Sequence, residues 1–361
     1  MALKDSKLGL FAMNACLVVV SVAATLLLIE VGLRLTSLPV LESRYVYWQR
    51  ATYEAFHFHH ATSRPAEQPF PGFHAVRGWT HFLIRSGPDG YLIEDISGAT
   101  WRETQRVPYS TTRRRVILIG DSFMYGWYVG KDETIDHLLR ARLGSNFEVI
   151  NLSVPGYGLD QMVLVANEVI PQLSPDDVVV GFIAADLERS CLSFFSTLGS
   201  AAKSRFELID GRLIPPRPVP TPYEMYLRHR ERRTLDAILA KLYSVRILAL
   251  AMGPFLRGPQ ETCIFKLNAT LLRSLINEMS QKTRIHLIHL EGNLPEEFMT
   301  EMAALKVPFY SAPADTTATS QALGVPVDRH NDGFRHPKGG LNAIYAYMIY
   351  KILLPTYPGN Q

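Results

Sequence analysis

The chain has 361 residues, and 37 lysines and arginines against 34 aspartates and glutamates give it a formal net charge of +3. Hydrophobic residues make up 47% and charged residues 20%, which argues against both a disordered chain and a polytopic transporter. The basic residues are dispersed and form no concentrated face of the kind that nucleic acid requires. The three cysteines include no Cys-x-x-Cys pair, which argues against a zinc ribbon, a thioredoxin-type redox pair or a disulfide scaffold.

The chain opens with an apolar segment long enough to cross a bilayer. Leu8 to Ile29 contains no charged residue, and a helix of that length spans roughly the 30 Å hydrocarbon core. The sequence therefore predicts a transmembrane signal-anchor helix over residues 8–35. A cleaved signal peptide is the alternative, with Ser21-Val22-Ala23 as a small-x-small cleavage site.

Charge on either side of the span sets its predicted orientation. Lys4 and Lys7 precede it, opposed only by Asp5, whereas acidic residues balance the arginines that follow it. Because positive residues favour the cytoplasmic side, we expect residues 1–7 in the cytoplasm and the globular part outside the cell membrane.

Residues 36–112 form an irregular lead-in that is rich in proline, glycine, histidine and aromatic residues. Gly87-Pro88-Asp89-Gly90 predicts a turn between two short strands. Aromatic residues clustered between Tyr45 and Phe58 fit either a membrane-interface belt or a segment packed on the globular domain. His57, His59 and His60 have no carboxylate or cysteine at ligand spacing nearby, so we interpret them as exposed histidines and predict no metal site.

From residue 113 to residue 361 the pattern becomes one of short apolar strands alternating with amphipathic helices. Such alternation predicts a three-layer α/β sandwich with a mainly parallel sheet and right-handed crossovers. The predicted strands are 116–119, 148–152, 178–183, 285–290 and 307–310. The predicted helices are 133–143, 159–173, 264–281, 296–305 and 340–354.

An excursion at about 195–262 interrupts this alternation. It contains a predicted hairpin over 206–214, with Asp210-Gly211 at the turn, and a basic amphipathic helix over 227–250. We interpret the basic helix as a solvated face, with contact to an anionic membrane or polymer as the alternative. Cys191 and Cys263 flank the excursion, and in an oxidising compartment they could pair, which the sequence leaves open.

Polar and glycine residues follow the strands where parallel strands place reacting groups. Gly120-Asp121-Ser122 follows the first strand, Asn151 to Gly158 the second, and Ala184-Ala185-Asp186 the third. Asp332 to His336 precedes the last helix. Because the carboxyl ends of parallel strands share one edge of the sheet, we expect these residues to meet there.

A serine, a histidine and an aspartate in such a place indicate nucleophilic acyl chemistry. A serine hydroxyl needs an imidazole to remove its proton, and the imidazole needs a carboxylate to fix its tautomer. The tetrahedral intermediate needs N–H donors aimed at its oxygen, which glycine turns expose. The alternative interpretation of Ser122 and His336 is that each caps or packs a neighbouring helix.

These blocks resemble, in order and placement, those of the SGNH hydrolases, also called GDSL-type esterases. The resemblance covers about residues 113–354 and implies a flavodoxin-like fold. It implies that Ser122 is the nucleophile, that His336 is the general base and that Asp332 orients it. It also implies an oxyanion hole made by the N–H groups of Ser122 and Gly156, while Gly120, Asp121 and Asp186 organise the loops.

Two departures from the family pattern stand out. The third block normally supplies an asparagine to the oxyanion hole, and here that position is Ala185; Asn151 is one substitute to test. The family usually places its acid and histidine three positions apart, but Asp332 precedes His336 by four. A longer loop, a contribution from Asp328 or a Ser–His dyad would each accommodate this.

The resemblance implies a membrane-anchored serine esterase that acts on an acylated carbohydrate or lipid and needs neither a cofactor nor a metal. Two alternatives stay open. One is an O-acyltransferase that modifies an envelope polysaccharide, and the other is a non-catalytic binding or assembly module. We predict no nucleic-acid partner, and the sequence does not specify an oligomeric state.

Overall fold

A computed structural model of the chain describes residues 2–35, 73–74, 76–96, 104–191, 194–195, 201–203, 205–216, 263–279, 283–330 and 335–354. The chain divides into two compact units, Met1–Pro65 with Pro222–Gly258 and Ala66–Thr221 with Pro259–Gln361. The aromatic cluster before residue 59, the histidines at 57, 59 and 60, and the basic helix at 227–250 lie outside the described residues.

The first unit contains one long helix, α1 (Ala2–Leu35). Its segment Met13–Gly32 has a mean hydropathy of 2.4, so it is long and apolar enough to cross a membrane, a test that a signal sequence also passes. Large apolar side chains along α1 are exposed, Leu28 to 73% and Leu35 to 80%. Exposed apolar side chains over such a length are expected where lipid replaces water.

The second unit begins with small antiparallel sheets. Their strands are β1 (Phe73–His74), β2 (Gly78–Trp79), β3 (Phe82–Ser86), β4 (Gly90–Asp95) and β5 (Gln105–Pro108). β3 and β4 form a hairpin, and the Gly87 N–H donates to the Gly90 carbonyl at 2.7 Å, so the predicted turn between short strands is confirmed. Trp79, Phe82 and Val107 are buried in the main core, so these small sheets pack on the α/β elements that follow them.

The remaining elements alternate as the sequence predicts. In chain order they are β6 (Arg114–Gly120), α2 (Ser122–Tyr125), a 3₁₀ turn (Lys131–Glu133), α3 (Ile135–Leu143), β7 (Phe147–Asn151), α4 (Leu159–Leu173), β8 (Asp177–Ile183), α5 (Ala184–Arg189), β9 (Phe194–Phe195), β10 (Ala201–Ala202), β11 (Glu207–Ile209), β12 (Arg212–Ile214), a π-helical turn (Cys263–Leu267), α6 (Asn268–Met279), β13 (Arg284–Glu291), α7 (Glu296–Ala304), β14 (Tyr310–Ser311), α8 (Ala312–Leu323) and α9 (Gly339–Leu353).

Five of these strands form a parallel sheet in the order β14-β13-β8-β6-β7. All seven residues of β6 and all seven of β8 are buried, as expected for strands covered on both faces. One apolar cluster packs α4 and α6 on one face, and a second packs α3 and α9 on the other. The expectation of a three-layer α/β fold with a mainly parallel sheet is confirmed.

The structure adds one helix that the sequence analysis missed. α8 follows directly after β14, and Ala312 is its only buried residue. Three of its twelve residues are threonines, and because β-branched residues are poor helix formers, no apolar periodicity marked it. The strand expected at 307–310 is correspondingly short and is limited to Tyr310–Ser311.

A disulfide joins Cys191 to Cys263, with their Cα atoms 5.8 Å apart and a sequence separation of 72 residues. It closes the excursion where the chain leaves and rejoins the α/β core. Since a bridge of this kind restricts the unfolded chain more as the enclosed loop lengthens, it stabilises the fold at the base of the excursion.

We expect the double variant Cys191→Ser/Cys263→Ser to lower the free energy of unfolding by about 2–4 kcal/mol, because the unfolded chain regains the freedom of the enclosed loop. Denaturant unfolding of the purified full-length chain measures this. As a control, Cys16→Ser changes the third cysteine, which is free, and should leave the midpoint unchanged. Free thiols at both Cys191 and Cys263 in the native protein would contradict the pairing.

Candidate active site

Strand β6, which lies between β7 and β8 in the sheet, ends at a glycine that the packing requires. A Cβ atom on Gly120 would lie 2.6 Å from the Gly181 carbonyl oxygen and 2.5 Å from Met124 Cγ. Gly181 stands opposite Gly120 on β8, and a Cβ atom on Gly181 would also lie 2.5 Å from Met124 Cγ. The two glycines therefore allow the Met124 side chain to seat the short helix α2 on the end of the sheet.

Ser122 begins α2, and Asp121 caps it. Asp121 is fully buried, and its Oδ1 accepts a hydrogen bond from the Phe123 N–H at 2.9 Å. Ser122 is 8% exposed, and its hydroxyl lies 3.5 Å from Asp121 Oδ2. Because an aspartate cap fixes the first turn of a helix, Asp121 determines where the Ser122 side chain lies.

The structure brings Ser122 and His336 together across 214 residues of sequence. His336 Nε2 lies 2.8 Å from Ser122 Oγ, within the range expected for a serine and its general base. His336 is 6% exposed, and its ring packs against Phe123 at 5.3 Å and Tyr128 at 5.5 Å between ring centroids. These rings restrict the orientation of the imidazole.

The segment 328–330 holds the loop that carries His336. The His330 N–H donates to the His336 carbonyl at 2.8 Å, and Arg329 pairs with Pro337 in an antiparallel bridge. The Arg329 guanidinium forms an ion pair of 2.6 Å with Glu291, the last residue of β13. His336 is thereby linked to the same edge of the sheet from which Ser122 projects.

The loop after β7 reaches the same edge. The Val154 N–H donates to the Gly120 carbonyl at 2.9 Å, and Trp79 Nε1 donates to the Pro155 carbonyl at 3.1 Å. Gly156 has a φ of 81°, a left-handed conformation that glycine adopts without a steric penalty. The block-two loop thus lies beside the turn that carries Ser122.

Arg189, at the end of α5, connects the three motif loops. Its guanidinium donates to Asp121 Oδ2 at 3.1 Å, to Asp186 Oδ1 and to the Tyr157 carbonyl at 3.4 Å. The Arg189 side chain is only 9% exposed, and both carboxylates are fully buried. A buried charge requires partners of this kind, because removing one partner leaves the other charge uncompensated.

The electrostatics of Asp186 reflect this crowding. Burial raises the pKa of Asp186 well above its usual range, the negative charge of Asp121 raises it further, and the guanidinium of Arg189 opposes both effects. Asp186 Oδ2 also accepts a hydrogen bond from the Ile183 N–H at 2.9 Å. Asp186 is therefore tied to the end of β8 and to Arg189, as a residue that organises the loop would be.

The suggestion that Asn151 replaces the missing oxyanion donor is wrong. Asn151 Nδ2 donates to the Met124 carbonyl at 2.9 Å and to Asp136 Oδ1 at 3.1 Å, so both amide hydrogens are already used. Its Oδ1 accepts from the Ser153 N–H at 3.0 Å. Asn151 therefore braces the loop after β7 and has no hydrogen left to donate to an oxyanion.

The carboxylate behind His336 stays a prediction. Asp332, the expected partner, lies outside the described residues. Asp328 Oδ1 accepts a hydrogen bond from the Leu341 N–H at 3.3 Å, and its carbonyl accepts from the Lys338 N–H at 3.1 Å. Asp328 is thus hydrogen-bonded to the start of α9. Among the described residues, no hydrogen bond joins its carboxylate to the His336 imidazole.

Ala185, at the family's asparagine position, is exposed in the first turn of α5. Its side chain has no hydrogen-bond donor. In the part of the chain that the structure describes, no group of three or more His, Cys, Asp or Glu residues could hold a metal ion.

Two residues of the site escaped the sequence analysis. Arg189 follows Asp186 by three residues on a helix, a spacing that places them on one face, but the sequence alone did not show that this face is buried. Tyr128 lies six residues after Ser122 in a loop without periodicity, and only the fold shows that its ring reaches His336.

We expect Arg189→Met to lower the free energy of unfolding by about 3–5 kcal/mol, because two buried carboxylates lose the cation between them. Denaturant unfolding measures this. Arg85→Met is the matched control, since the Arg85–Glu94 ion pair is largely exposed and such pairs contribute about 0–1 kcal/mol. Equal, small losses in the two variants would show that Arg189 does not hold the motif loops together.

No protein-family model and no curated protein matches the chain. Solved structures do match the chain. TesA is 14% identical, with 68% of this chain and 100% of that chain covered and a TM-score of 0.38. The lipase/acylhydrolase from Enterococcus faecalis is 15% identical, with 69% and 99% covered and a TM-score of 0.36. Est24, a carbohydrate acetylesterase from Sinorhizobium meliloti, is 12% identical, with 68% and 100% covered and a TM-score of 0.34.

The structure of this chain shows the strand order directly. It also shows that the sequence motifs follow successive strands. The first three motif blocks follow β6, β7 and β8 and are joined by hydrogen bonds at one edge of the sheet. His336, from the fourth block, contacts Ser122 from the first. In fold and in the order of these blocks, the chain is similar to the SGNH hydrolases.

Proposed function

We propose that the protein is a serine esterase that forms an acyl-enzyme on Ser122. The observation that carries this proposal is the distance of 2.8 Å between Ser122 Oγ and His336 Nε2. A serine that only capped a helix would need no imidazole at its hydroxyl, and a histidine that only packed against α9 would need no contact with α2. The two side chains meet at the edge of the sheet where substrates approach.

The proposed reaction follows from these positions. His336 Nε2 accepts the hydroxyl proton while Ser122 Oγ bonds to the acyl carbon, and the carbonyl electrons move onto oxygen. The alcohol leaves with the proton from His336, which yields the acyl-enzyme. Water then attacks the acyl carbon, His336 takes its proton, and the acid leaves as the Ser122 hydroxyl regains that proton.

The remaining machinery is assigned by the same proposal. The N–H groups of Ser122 and Gly156 hold the developing oxyanion, and the Asp332 carboxylate orients His336 and stabilises its imidazolium form. Asp121, Asp186 and Gly120 act indirectly, because they fix the loops that carry Ser122. No step requires a metal or an organic cofactor.

We further propose that the substrate is an ester of an acylated carbohydrate or lipid and that the enzyme works outside the cytoplasmic membrane. α1 supports a membrane anchor, and Lys4 and Lys7 support its orientation. The Cys191–Cys263 disulfide supports an oxidising compartment. A native chain recovered from cells with both thiols free would contradict this location.

We expect a fluorophosphonate probe to label the full-length wild-type protein, because it reacts with an activated serine hydroxyl. Ser122→Ala should abolish labelling, and His336→Ala should slow it by about a thousandfold or more, since the serine loses its base. Labelled peptide mass spectrometry identifies the site. Ser110→Ala, at an exposed serine twelve residues before Ser122 in the sequence, is the control that should still be labelled. An unlabelled wild type would favour a non-catalytic module.

We expect Ala185→Asn to raise the rate of fluorophosphonate labelling about tenfold or more, because a side-chain donor at this position would add to the oxyanion hole. Loss of one such donor costs roughly a hundredfold or more in other enzymes. Ala185→Leu adds similar volume without a donor and should give no gain. Equal rates in the two variants would mean that position 185 does not face the oxyanion.

A further inference from the structure

The loop after α2 places an exposed aromatic ring beside the catalytic pair. Tyr128 is 61% exposed, although its ring lies 5.5 Å from that of His336 and 5.8 Å from those of His330 and Trp127. We propose that Tyr128 is the platform on which a sugar ring of the ester substrate stacks. This inference rests on the proposed esterase function and names the substrate class of the same site.

The position of the ring argues for contact with the substrate. The edge-to-face arrangement of Tyr128 and His336, with an angle of 72° between the rings, keeps the two side chains in contact. His330 and Trp127 support the Tyr128 ring from two further sides, and the majority of its surface still faces solvent. The ring therefore forms an apolar surface beside His336, whose imidazole contacts Ser122.

The backbone at Tyr128 is strained. Its φ is 68°, in the left-handed region that an aromatic residue rarely occupies. Glycine would adopt this conformation without the steric penalty, and Gly126 with a φ of 81° does so two residues earlier. Strained backbone conformations persist at sites where the surrounding structure holds them for function, so the side chain of Tyr128 is the feature that the loop presents.

The surroundings favour a carbohydrate over a long acyl chain. Arg335 and Lys338, which flank His336 in sequence, are exposed, so the His336 loop presents charged groups to solvent. A long acyl chain requires apolar walls on several sides. A pyranose ring presents one face of C–H groups, which fits a single aromatic ring, and edges of hydroxyl groups, which stay hydrated beside charged side chains.

The stacked sugar is the alcohol part of the ester. Ser122 retains the acyl group in the acyl-enzyme, whereas the alcohol leaves, and the platform positions that alcohol before the first bond breaks. Removing the platform should therefore affect esters whose alcohol is a sugar ring and should not affect esters of an acyclic alcohol with the same acyl group. Interactions of this kind with parts of the substrate away from the reacting bond contribute to the rate of the chemical step.

The test compares two acetyl esters with the full-length protein in detergent. Glucose pentaacetate carries a pyranose ring and glycerol triacetate carries none, and titration of the released acetic acid follows both. We expect Tyr128→Ala to lower kcat/KM for glucose pentaacetate about tenfold, as loss of an aromatic contact does, and to leave that for glycerol triacetate unchanged. Tyr128→Phe should retain the wild-type ratio, because the ring remains.

Tyr109→Ala is the matched control, since Tyr109 is 50% exposed and its ring packs on Tyr91 of the small sheet. It should leave the ratio of the two substrates unchanged. Tyr128→Gly relieves the backbone strain and should show the same loss as Tyr128→Ala with an unchanged or higher Tm, which separates a binding role from a role in folding.

The outcomes separate this inference from the esterase proposal. If fluorophosphonate labels wild type and Tyr128→Ala at the same rate but the ratio of the two substrates does not change, the platform is wrong and the esterase proposal stands. An equal loss on both acetates would also overturn the platform. A selective loss on vinyl decanoate would indicate an acyl-chain contact instead. A wild type without labelling contradicts the esterase proposal itself.

Discussion

The buried guanidinium of Arg189 is the interaction on which the site depends. It joins Asp121 from the turn after β6, the Tyr157 carbonyl from the loop after β7, and Asp186 from the helix after β8. Each loop alone carries polar groups that burial would penalise. Together they satisfy one another around one cation, and the geometry of Ser122 is a consequence of that arrangement.

The second constraint is that residues 122 and 336, which are far apart in sequence, must lie side by side. The Ser122–His336 contact forms only when the end of β6 and the segment before α9 reach the same edge of the sheet, which the strand order β14-β13-β8-β6-β7 ensures. α9 packs with α3 on one face, and Arg329 ties the His336 loop to β13. The rigid layers therefore supply the precision that a loop alone lacks.

Much of this could be predicted from the sequence, because the signals involved are local or topological. Apolar runs such as 178–183 identify buried strands, and parallel pairing brings the ends of those strands together, which predicts that Ser122 and His336 meet. The rest depends on tertiary contacts. The sequence does not show that Asn151 donates both amide hydrogens, to the Met124 carbonyl and to Asp136. The threonine-rich α8 has no amphipathic pattern by which it could be recognised. The left-handed backbone of Tyr128 has no counterpart in a local sequence pattern either.

Under the proposed function, the site combines a nucleophile and a base 2.8 Å apart with a third-block position, Ala185, whose side chain has no donor. An enzyme with fewer oxyanion donors stabilises the transition state less through that oxygen and depends more on the binding of distant parts of its substrate. A ring fixed beside His336 is a means of supplying such binding, since a stacked sugar would enter the site already oriented toward Ser122. The two unusual residues, Ala185 and Tyr128, then have one physical explanation: positioning of the substrate supplies part of the rate that the oxyanion hole does not.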